Sequence, residues 1–311
     1  MSGRILVITG PTATGKTALG AAVARELGSE VISADSMQLY EHMTIGTAAP
    51  TAEETLGVPH HMIGCVSPFE SYSVSRYVEE ASAIADGLIA RGKTPVVVGG
   101  TGLYIDSLIA GIDFAAQGDG TVRAELDREY GETGGEAMLD RLRAVDPGSA
   151  ARLHPSDRRR IVRALEIYVL TGRTKSSLDA ATRARPPRYD AVKLALSFSD
   201  RADLYDRIDR RVDGMMARGL LDEVRSLLDM GLTEKHTAMH AIGYKELCAA
   251  LRGECTVTQA VEEIKRGSRR YAKRQLSWLR RDGSVRWLLW EKTPDIPAGL
   301  RFSTKFLCSA G

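Results

Sequence analysis

Short apolar runs alternate with helical patterns over the first third of the chain. Short segments with an apolar centre at 4–9, 30–33 and 95–98 predict three buried strands. Amphipathic spacing after residue 16 and at residues 74–90 predicts helices between them. Strands that alternate with helices at this spacing form a parallel sheet with right-handed crossovers. We therefore expect an α/β fold of the doubly wound, P-loop NTPase-like type, with helices flanking the sheet.

The pattern changes after Asp113. Residues 114–120 have the composition of a linker, and only helical patterns follow as far as residue 178. One of these helices should begin at Asp157 and end at Gly172. A second linker, rich in arginine and proline, is expected at 183–188, before a strand at 192–196. The chain thus predicts a core of residues 1–112 and 191–311, interrupted by an all-helical insertion domain of residues 113–190.

The rest of the chain is mostly helical in pattern. Apolar positions recur every three or four residues from Leu204 to Met216, in a helix that Gly219 should end. A second helix is expected at 220–228, and a long one at 258–281. Residues 294–311 give no clear prediction.

A glycine-rich motif lies between the first predicted strand and the first predicted helix. Residues 10–17 read GPTATGKT and match the P-loop pattern GxxxxGK[ST] in its required strand–loop–helix context. Its backbone N–H groups, the helix dipole and Lys16 can bind an anion, and the Thr17 hydroxyl can bind Mg²⁺. The motif therefore predicts a phosphate site, although kinases, NTPases and transferases all share it.

Two features limit the chemistry at that site. P-loop hydrolases usually carry an acidic residue after a later strand, yet the strand at 95–98 ends in Gly99, Gly100 and Thr101. The sequence also has no evident arginine-rich lid like that of small-molecule kinases. The acidic group expected nearest the P-loop is Asp35, after the second strand. Because ligands of open α/β sheets bind at the carboxyl ends of the strands, Asp35 and Thr101 should face the same cleft as Lys16.

Composition and charge exclude several classes of protein. The chain has 311 residues, 43% of them hydrophobic and 26% charged, as in a soluble globular protein. No stretch approaches the roughly 20 apolar residues of a membrane span, and the N-terminal apolar run is too short for a signal peptide. Its four scattered cysteines suggest reduced thiols. We expect a cytoplasmic protein with no membrane association.

The net charge is only +2, but the basic residues are clustered. Arginines crowd at 158–163, and Asp282 is the only acidic residue between Lys265 and Arg286. Such clusters can be solvated faces, but without acidic partners they favour a polyanion. His60 and His61 lack other metal ligands at suitable spacing, so a turn or core role is expected for them.

Nine motifs in order make the chain similar to the tRNA dimethylallyltransferases, also called tRNA isopentenyltransferases. The resemblance runs nearly from end to end. The motifs are GPTATGKT, DSMQLY, IGTAAPT, VPHHMI, VGGTGLY, RRIVRALE, RIDRRVDGM, AIGYKEL and YAKRQLSWLR.

The resemblance implies a reaction. The dimethylallyl group of dimethylallyl diphosphate would pass to the exocyclic N6 amine of the adenosine 3′-adjacent to the anticodon, in tRNAs that read UNN codons. Pyrophosphate would leave, with Mg²⁺ as cofactor, and the family suggests a monomer. Such an amine is a poor nucleophile, so a base should help, and Asp35 is the natural candidate. The alternative for Asp35 is an Asx turn that caps the next element.

The resemblance also assigns site residues. The catalytic set would be Asp35, Thr101 and Arg211. Pyrophosphate would bind Gly10, Pro11, Thr12, Ala13, Thr14, Gly15, Lys16 and Thr17, the last also holding the metal. The anticodon stem-loop would contact Asp35, Ser36, Met37, Gln38, Thr101, Arg123, Arg159, Arg160, Ile161, Val162, Arg163, His240, Ala241, Ile242, Gly243, Tyr244 and Lys245.

Three other functions stay open at this point. A relative that prenylates free adenine nucleotides would need neither the insertion domain nor a basic C-terminal helix. A P-loop small-molecule kinase would transfer phosphate from ATP. A non-catalytic RNA-binding protein would bind tRNA without modifying it.

Overall fold

A computed structural model describes residues 3–112 and 120–309. The chain divides into two compact units: one comprises the residues up to Gly111 and from Arg188 onward, and the other spans Ile112–Pro187. The predicted linker at 114–120 lies outside the described residues except for Gly120, which precedes the first helix of the second unit.

The first unit is built around a parallel sheet. Its six strands are β1 (Gly3–Thr9), β2 (Val31–Ala34), β3 (His60–His61), β4 (Val96–Gly99), β5 (Tyr189–Phe198) and β6 (Arg286–Trp290). They are ordered β3-β2-β4-β1-β5-β6, and every pairing is parallel. This confirms the predicted fold class. The strands β1, β2 and β4 are almost entirely buried, which explains their apolar centres.

The described part of this unit also contains eight α-helices. They are α1 (Lys16–Glu26), α2 (Val74–Ala90), α3 (Gly102–Ala110), α9 (Arg201–Ala217), α10 (Leu220–Asp229), α11 (Tyr244–Leu251), α12 (Val257–Leu279) and α13 (Ile296–Ser309). A 3-10 helix at Thr237–His240 precedes α11. The C-terminal α13, for which no element was predicted, packs on α1 next to the P-loop.

The second unit is helical throughout its described part. It contains α4 (Thr121–Thr133), α5 (Gly135–Val145), α6 (Pro147–Ala150), α7 (Arg158–Thr171) and α8 (Lys175–Ala184). As predicted, Asp157 precedes α7 and Gly172 ends it in a left-handed conformation. The prediction of a linker at 183–188 is partly wrong, because α8 continues to Ala184. The strand predicted at 192–196 is longer than expected, since β5 begins at Tyr189.

Two histidines of this sheet have structural partners. His60 and His61 form the short edge strand β3, which is paired with β2. His61 Nε2 lies 2.7 Å from a carboxylate oxygen of Glu30, which also contacts Arg91 and Lys93. His60 Nδ1 lies 2.8 Å from the carbonyl oxygen of Val58. Across the described residues, no group of three metal-binding side chains is found and no helix is long and apolar enough to cross a membrane.

Candidate active site

The carboxyl ends of three adjacent strands meet at one cavity. Because β2, β4 and β1 are neighbours, the loops after Ala34, Gly99 and Thr9 lie side by side. The cavity has a volume of about 710 Å³ and lies entirely within the first unit. Its walls include the P-loop from Thr12 to Thr17, residues 35–38 after β2, and side chains from α9 and α12.

The P-loop has the backbone geometry of an anion cradle. Gly10 has φ of 139°, and a side chain there would collide with the carbonyl oxygen of Leu196. Gly15 has φ of 81° at the start of α1, and Ala13 adopts φ of 67°, a strained value for alanine. Arg207 donates to the Ala13 carbonyl (3.1 Å), which fixes this strained turn.

The side chain of Lys16 is placed to bind an anion in the cavity. Its Nζ donates to the Pro11 carbonyl (2.6 Å) within the loop. Burial and, to a smaller extent, the nearby Arg211 guanidinium lower the pKa of Lys16 to about 7, although the charge of Asp35 acts in the opposite direction. A bound polyanion would reverse this destabilisation of the ammonium form.

Arg211 also faces the cavity without a protein partner. Its guanidinium makes no hydrogen bond or ion pair with any residue that the structure describes. Burial lowers the pKa of Arg211, while the charge of Asp35 raises it. The cavity is rich in cations, since Lys16, Arg207, Arg210, Arg211, Arg218 and Arg274 line it against only Asp35 and Glu54.

Asp35 lines the same cavity at the end of β2. Its Oδ1 accepts hydrogen bonds from the backbone N–H groups of Met37 (2.9 Å) and Gln38 (3.4 Å), which is an Asx turn. Its Oδ2 accepts none from the described residues, so one carboxylate oxygen is available to a ligand. The turn anticipated as an alternative role is thus present, and it is compatible with a second role for the free oxygen.

Thr101 was expected to face the cleft, but it is not among the residues that line the cavity and instead contacts the loop that carries Asp35. Its Oγ1 accepts a hydrogen bond from the Ser36 N–H (3.1 Å), and its hydroxyl is bonded to that of Tyr271. Tyr271 itself lines the cavity, and burial together with Asp35 raises its pKa to about 12. A chain of hydrogen bonds therefore runs from α12 through Thr101 to the loop that carries Asp35.

Two residues missed by the sequence analysis hold the P-loop from the C-terminal part of the chain. Gln275 on α12 accepts from the Thr12 N–H (3.2 Å) and donates to the Gly100 carbonyl (2.9 Å). Trp290 at the end of β6 donates to the Thr14 carbonyl (3.0 Å). The motif YAKRQLSWLR contained Gln275, but nothing in the sequence indicated what its amide would contact.

Comparison with known proteins identifies the family. A family model described as IPP transferase matches residues 38–282, more than half of the chain. The chain belongs to this family. A second model, described as isopentenyl transferase, matches residues 3–63.

Individual relatives agree with this assignment. The chain is 46% identical to the tRNA dimethylallyltransferase of Geobacter sulfurreducens over 92% of this chain and 91% of that protein. It is 45% identical to the tRNA dimethylallyltransferase of Pelotomaculum thermopropionicum over 94% of this chain and 93% of that protein. The tRNA dimethylallyltransferases thus match more than nine-tenths of this chain.

Solved structures of the IPP transferase family share this fold. The full-length tRNA isopentenylpyrophosphate transferase of Bacillus halodurans is 39% identical, with a TM-score of 0.69, over 98% of this chain and 99% of that chain. The enzyme of Staphylococcus epidermidis is 36% identical, with a TM-score of 0.73, over 99% and 100%. A eukaryotic dimethylallyltransferase acting on tRNA gives 28% identity and a TM-score of 0.83, over 99% and 80%.

The residues expected to contact RNA fall into two groups. Residues 35–38 and His240 to Gly243 line the cavity of the first unit. Lys245 is exposed, whereas Tyr244 is buried and its hydroxyl donates to Glu223 (2.7 Å). Tyr244 is therefore not available to RNA through its side chain.

The other group lies on α4 and α7 of the second unit. Arg159 and Arg160 are exposed, but Ile161 and Val162 are buried in the core of that unit, packed with Leu126 and others. Their side chains cannot reach RNA, because the amphipathic period of α7 turns them inward. Arg123 and Arg163 both bind the buried carboxylate of Glu166, at 3.0 and 2.7 Å.

One expectation about the basic helix α12 is wrong. Its cations were expected to lack acidic partners, yet Lys265 pairs with Asp213 (2.8 Å), Arg266 with Glu263 and Arg269 with Asp209 (2.5 Å). Asp209 and Asp213 belong to α9, which packs along α12. Within α12, the exposed cations that have no acidic partner among the described residues are Arg270, Lys273 and Arg274.

The P-loop residues fit a magnesium ion that arrives with a diphosphate. The Thr17 hydroxyl lines the cavity and has no hydrogen-bond partner among the described residues. Magnesium is commonly held by few protein oxygens together with substrate phosphates and water. The Thr17 hydroxyl could therefore supply one oxygen to such an ion, and the metal-binding role expected from the sequence stays a prediction.

Proposed function

We propose that this IPP transferase moves the dimethylallyl group of dimethylallyl diphosphate to N6 of the adenosine 3′-adjacent to the anticodon, in tRNAs that read UNN codons. The observation that carries this proposal is the meeting of an anion cradle and a free carboxylate oxygen in one cavity. Lys16 and Arg211 face the diphosphate end, and Asp35 lies beside them at the acceptor end.

The diphosphate end must stabilise a leaving group. As the C–O bond of the allylic diphosphate breaks, negative charge develops on the departing pyrophosphate. The P-loop amides, Lys16 and Arg211 are already directed at this region, so little reorganisation is needed. A magnesium ion on Thr17 would supply further positive charge to the same phosphate oxygens.

The acceptor end must remove a proton. N6 of adenosine forms a bond to the terminal allylic carbon as that carbon loses pyrophosphate, and the nitrogen gives up one proton. Oδ2 of Asp35 has no hydrogen-bond donor of its own among the described residues, so it can accept this proton. The Asx turn through Oδ1 holds the carboxylate in place.

The polyanionic acceptor suits the exposed cations of both units. A loop adenosine must leave its stack before it enters a cavity. Arg270, Lys273 and Arg274 on α12, and Arg159 and Arg160 on α7, can bind phosphates without reading sequence. We expect the enzyme to act as a cytoplasmic monomer.

The affinity for dimethylallyl diphosphate should depend on the charge of Lys16. Its pKa of about 7 in the free enzyme will rise when the diphosphate binds, so binding takes up a proton above pH 7. Affinity should be full below about pH 7 and fall as pH rises toward the pKa of the complex, by at most tenfold per unit. Titration calorimetry in two buffers of different ionisation enthalpy measures this uptake.

Lys16→Arg provides the control, since a guanidinium stays charged throughout this range. The titration of the ligand itself is common to both proteins. An affinity of the wild type that is as flat as that of the variant between pH 7 and 9 would contradict the assignment.

Mass spectrometry of tRNA nucleosides tests the whole proposal. After incubation of unmodified tRNA with the protein and dimethylallyl diphosphate, the mass of one prenyl group should appear on the anticodon-loop adenosine alone. Free AMP, ADP or ATP in place of tRNA should give no product. Phosphorylation of a small molecule from γ-labelled ATP, or no transfer to tRNA, would refute the proposal.

A further inference from the structure

Glu223 on α10 makes an unusual set of contacts with a distant loop. Its carboxylate accepts hydrogen bonds from the backbone N–H groups of Ile45 (2.7 Å), Thr44 (2.9 Å) and Gly46 (3.0 Å). It also accepts from the Thr44 hydroxyl (3.1 Å) and from the Tyr244 hydroxyl (2.7 Å). Consecutive amides that converge on one anion form a backbone nest, and here the anion is part of the protein.

The loop held in this way forms part of the cavity wall. Gly46, Thr47, Ala48 and Ala49 all line the cavity. Gly46 lies so close to the ring of Tyr244 that an added Cβ would stand 2.5 Å from it. The loop is therefore fixed between α10 and α11, with Glu223 as the charged group at the junction.

This loop in turn orients Gln38. The Gln38 amide donates to the carbonyl oxygens of Thr47 (3.3 Å) and Ala48 (3.2 Å), and its oxygen accepts from the Ser33 hydroxyl (3.1 Å). Gln38 follows Asp35 in the segment that lines the acceptor side of the cavity. The hydrogen bonds thus connect Glu223, through the loop at 44–48, to a side chain beside the proposed base.

We propose that Glu223 is a positioning residue for the nucleoside acceptor. This inference rests on the proposed function. Glu223 sets the loop, the loop carbonyls set the amide of Gln38, and Gln38 forms the surface against which the adenosine lies. Among the described residues Glu223 has no hydrogen bond or ion pair with the P-loop, so its effect should fall on the acceptor and not on the diphosphate.

Glu223→Gln tests the inference with nearly the same shape. One carboxylate oxygen becomes an NH₂ group that opposes the N–H donors of the loop, so at least one charge-assisted contact is lost. We expect kcat/KM for tRNA to fall on the order of 10- to 100-fold. KM for dimethylallyl diphosphate should change by less than about twofold, because Lys16 and Arg211 are untouched.

Asp222→Asn is the matched control. Asp222 is the preceding residue of α10, is exposed and contacts only Arg225 among the described residues (2.6 Å). The substitution Asp222→Asn removes the same charge as Glu223→Gln but leaves the loop at 44–48 untouched. We therefore expect kcat/KM for tRNA and KM for dimethylallyl diphosphate to equal those of the wild type. Tyr244→Phe keeps the ring and removes one of the five hydrogen bonds to Glu223, so kcat/KM for tRNA should fall roughly threefold. This variant takes the place of Glu223→Gln if that protein fails to fold.

Amide hydrogen exchange gives a readout independent of catalysis. In Glu223→Gln the amides of Thr44, Ile45 and Gly46 should exchange at least about tenfold faster, and those of the P-loop should not. Unchanged exchange, an unchanged kcat/KM for tRNA, or an equal loss toward both substrates would overturn the inference. If the wild type itself transfers nothing to tRNA, the proposed function is the claim that fails.

Discussion

Asp35→Asn should lower kcat for prenyl transfer by about 10² to 10⁴ while dimethylallyl diphosphate still binds. Asparagine is close in size to aspartate, and its side-chain oxygen can still accept from the N–H groups of Met37 and Gln38. The Asx turn therefore survives, and only the proton-accepting Oδ2 is lost. Single-turnover kinetics with tRNA and labelled dimethylallyl diphosphate measure the chemical step, and equilibrium binding measures the donor.

Asp35→Ala separates the two roles of this carboxylate. It removes the turn and the base together, so it should be at least as impaired as Asp35→Asn and should also bind tRNA less well. Should Asp35→Asn retain wild-type kcat while Asp35→Ala does not, the carboxylate would act only through the turn, and the proton would have to leave by another route.

Arg211→Gln should reduce kcat/KM for dimethylallyl diphosphate by about 10² to 10³. The guanidinium is half-buried, has no partner among the described residues and lines the same cavity as the P-loop, so a bound diphosphate would gain a charged donor there without competition. Steady-state kinetics at saturating tRNA, with the donor varied, measure the loss. Both KM and kcat should be affected, because the charge on the diphosphate grows as it leaves.

The neighbouring Arg210 supplies the comparison. It has the same charge on the same turn of α9, but its side chain is exposed, and its effect on the donor is screened by solvent. Arg210→Gln should therefore cost only a few-fold. An equal loss in the two variants would mean that overall positive charge, and not the half-buried guanidinium of Arg211, holds the diphosphate.

The P-loop and Asp35 could be predicted from the sequence, because their positions depend on residues that are close to them in the chain. The P-loop pattern needs a strand before it and a helix after it, and β1 and α1 supply both. Asp35 follows β2 directly, and because the carboxyl ends of parallel strands lie at one edge of the sheet, it shares a cleft with Lys16 although β4 separates β2 from β1. The amphipathic period also located α7 and its caps within a residue.

Contacts between distant segments could not be predicted. Periodicity shows that one face of α12 is buried, but it does not show that Gln275 reaches the P-loop or that Asp209 and Asp213 neutralise part of the opposite face. The carboxylate of Glu223 and its loop are 177 to 179 residues apart in sequence. The edge strands β3 and β6 were missed, since two to five residues carry too little pattern.

The hydrogen bond from Trp290 to the P-loop has a consequence for biosynthesis. The anion cradle is encoded near the N-terminus, yet its Thr14 carbonyl is fixed by a residue of β6, and α13 packs on the helix that follows the cradle. A ribosome must therefore translate beyond Trp290 before the cradle can take its final form. Nascent chains that stop at the helical unit would carry the motif without its supports.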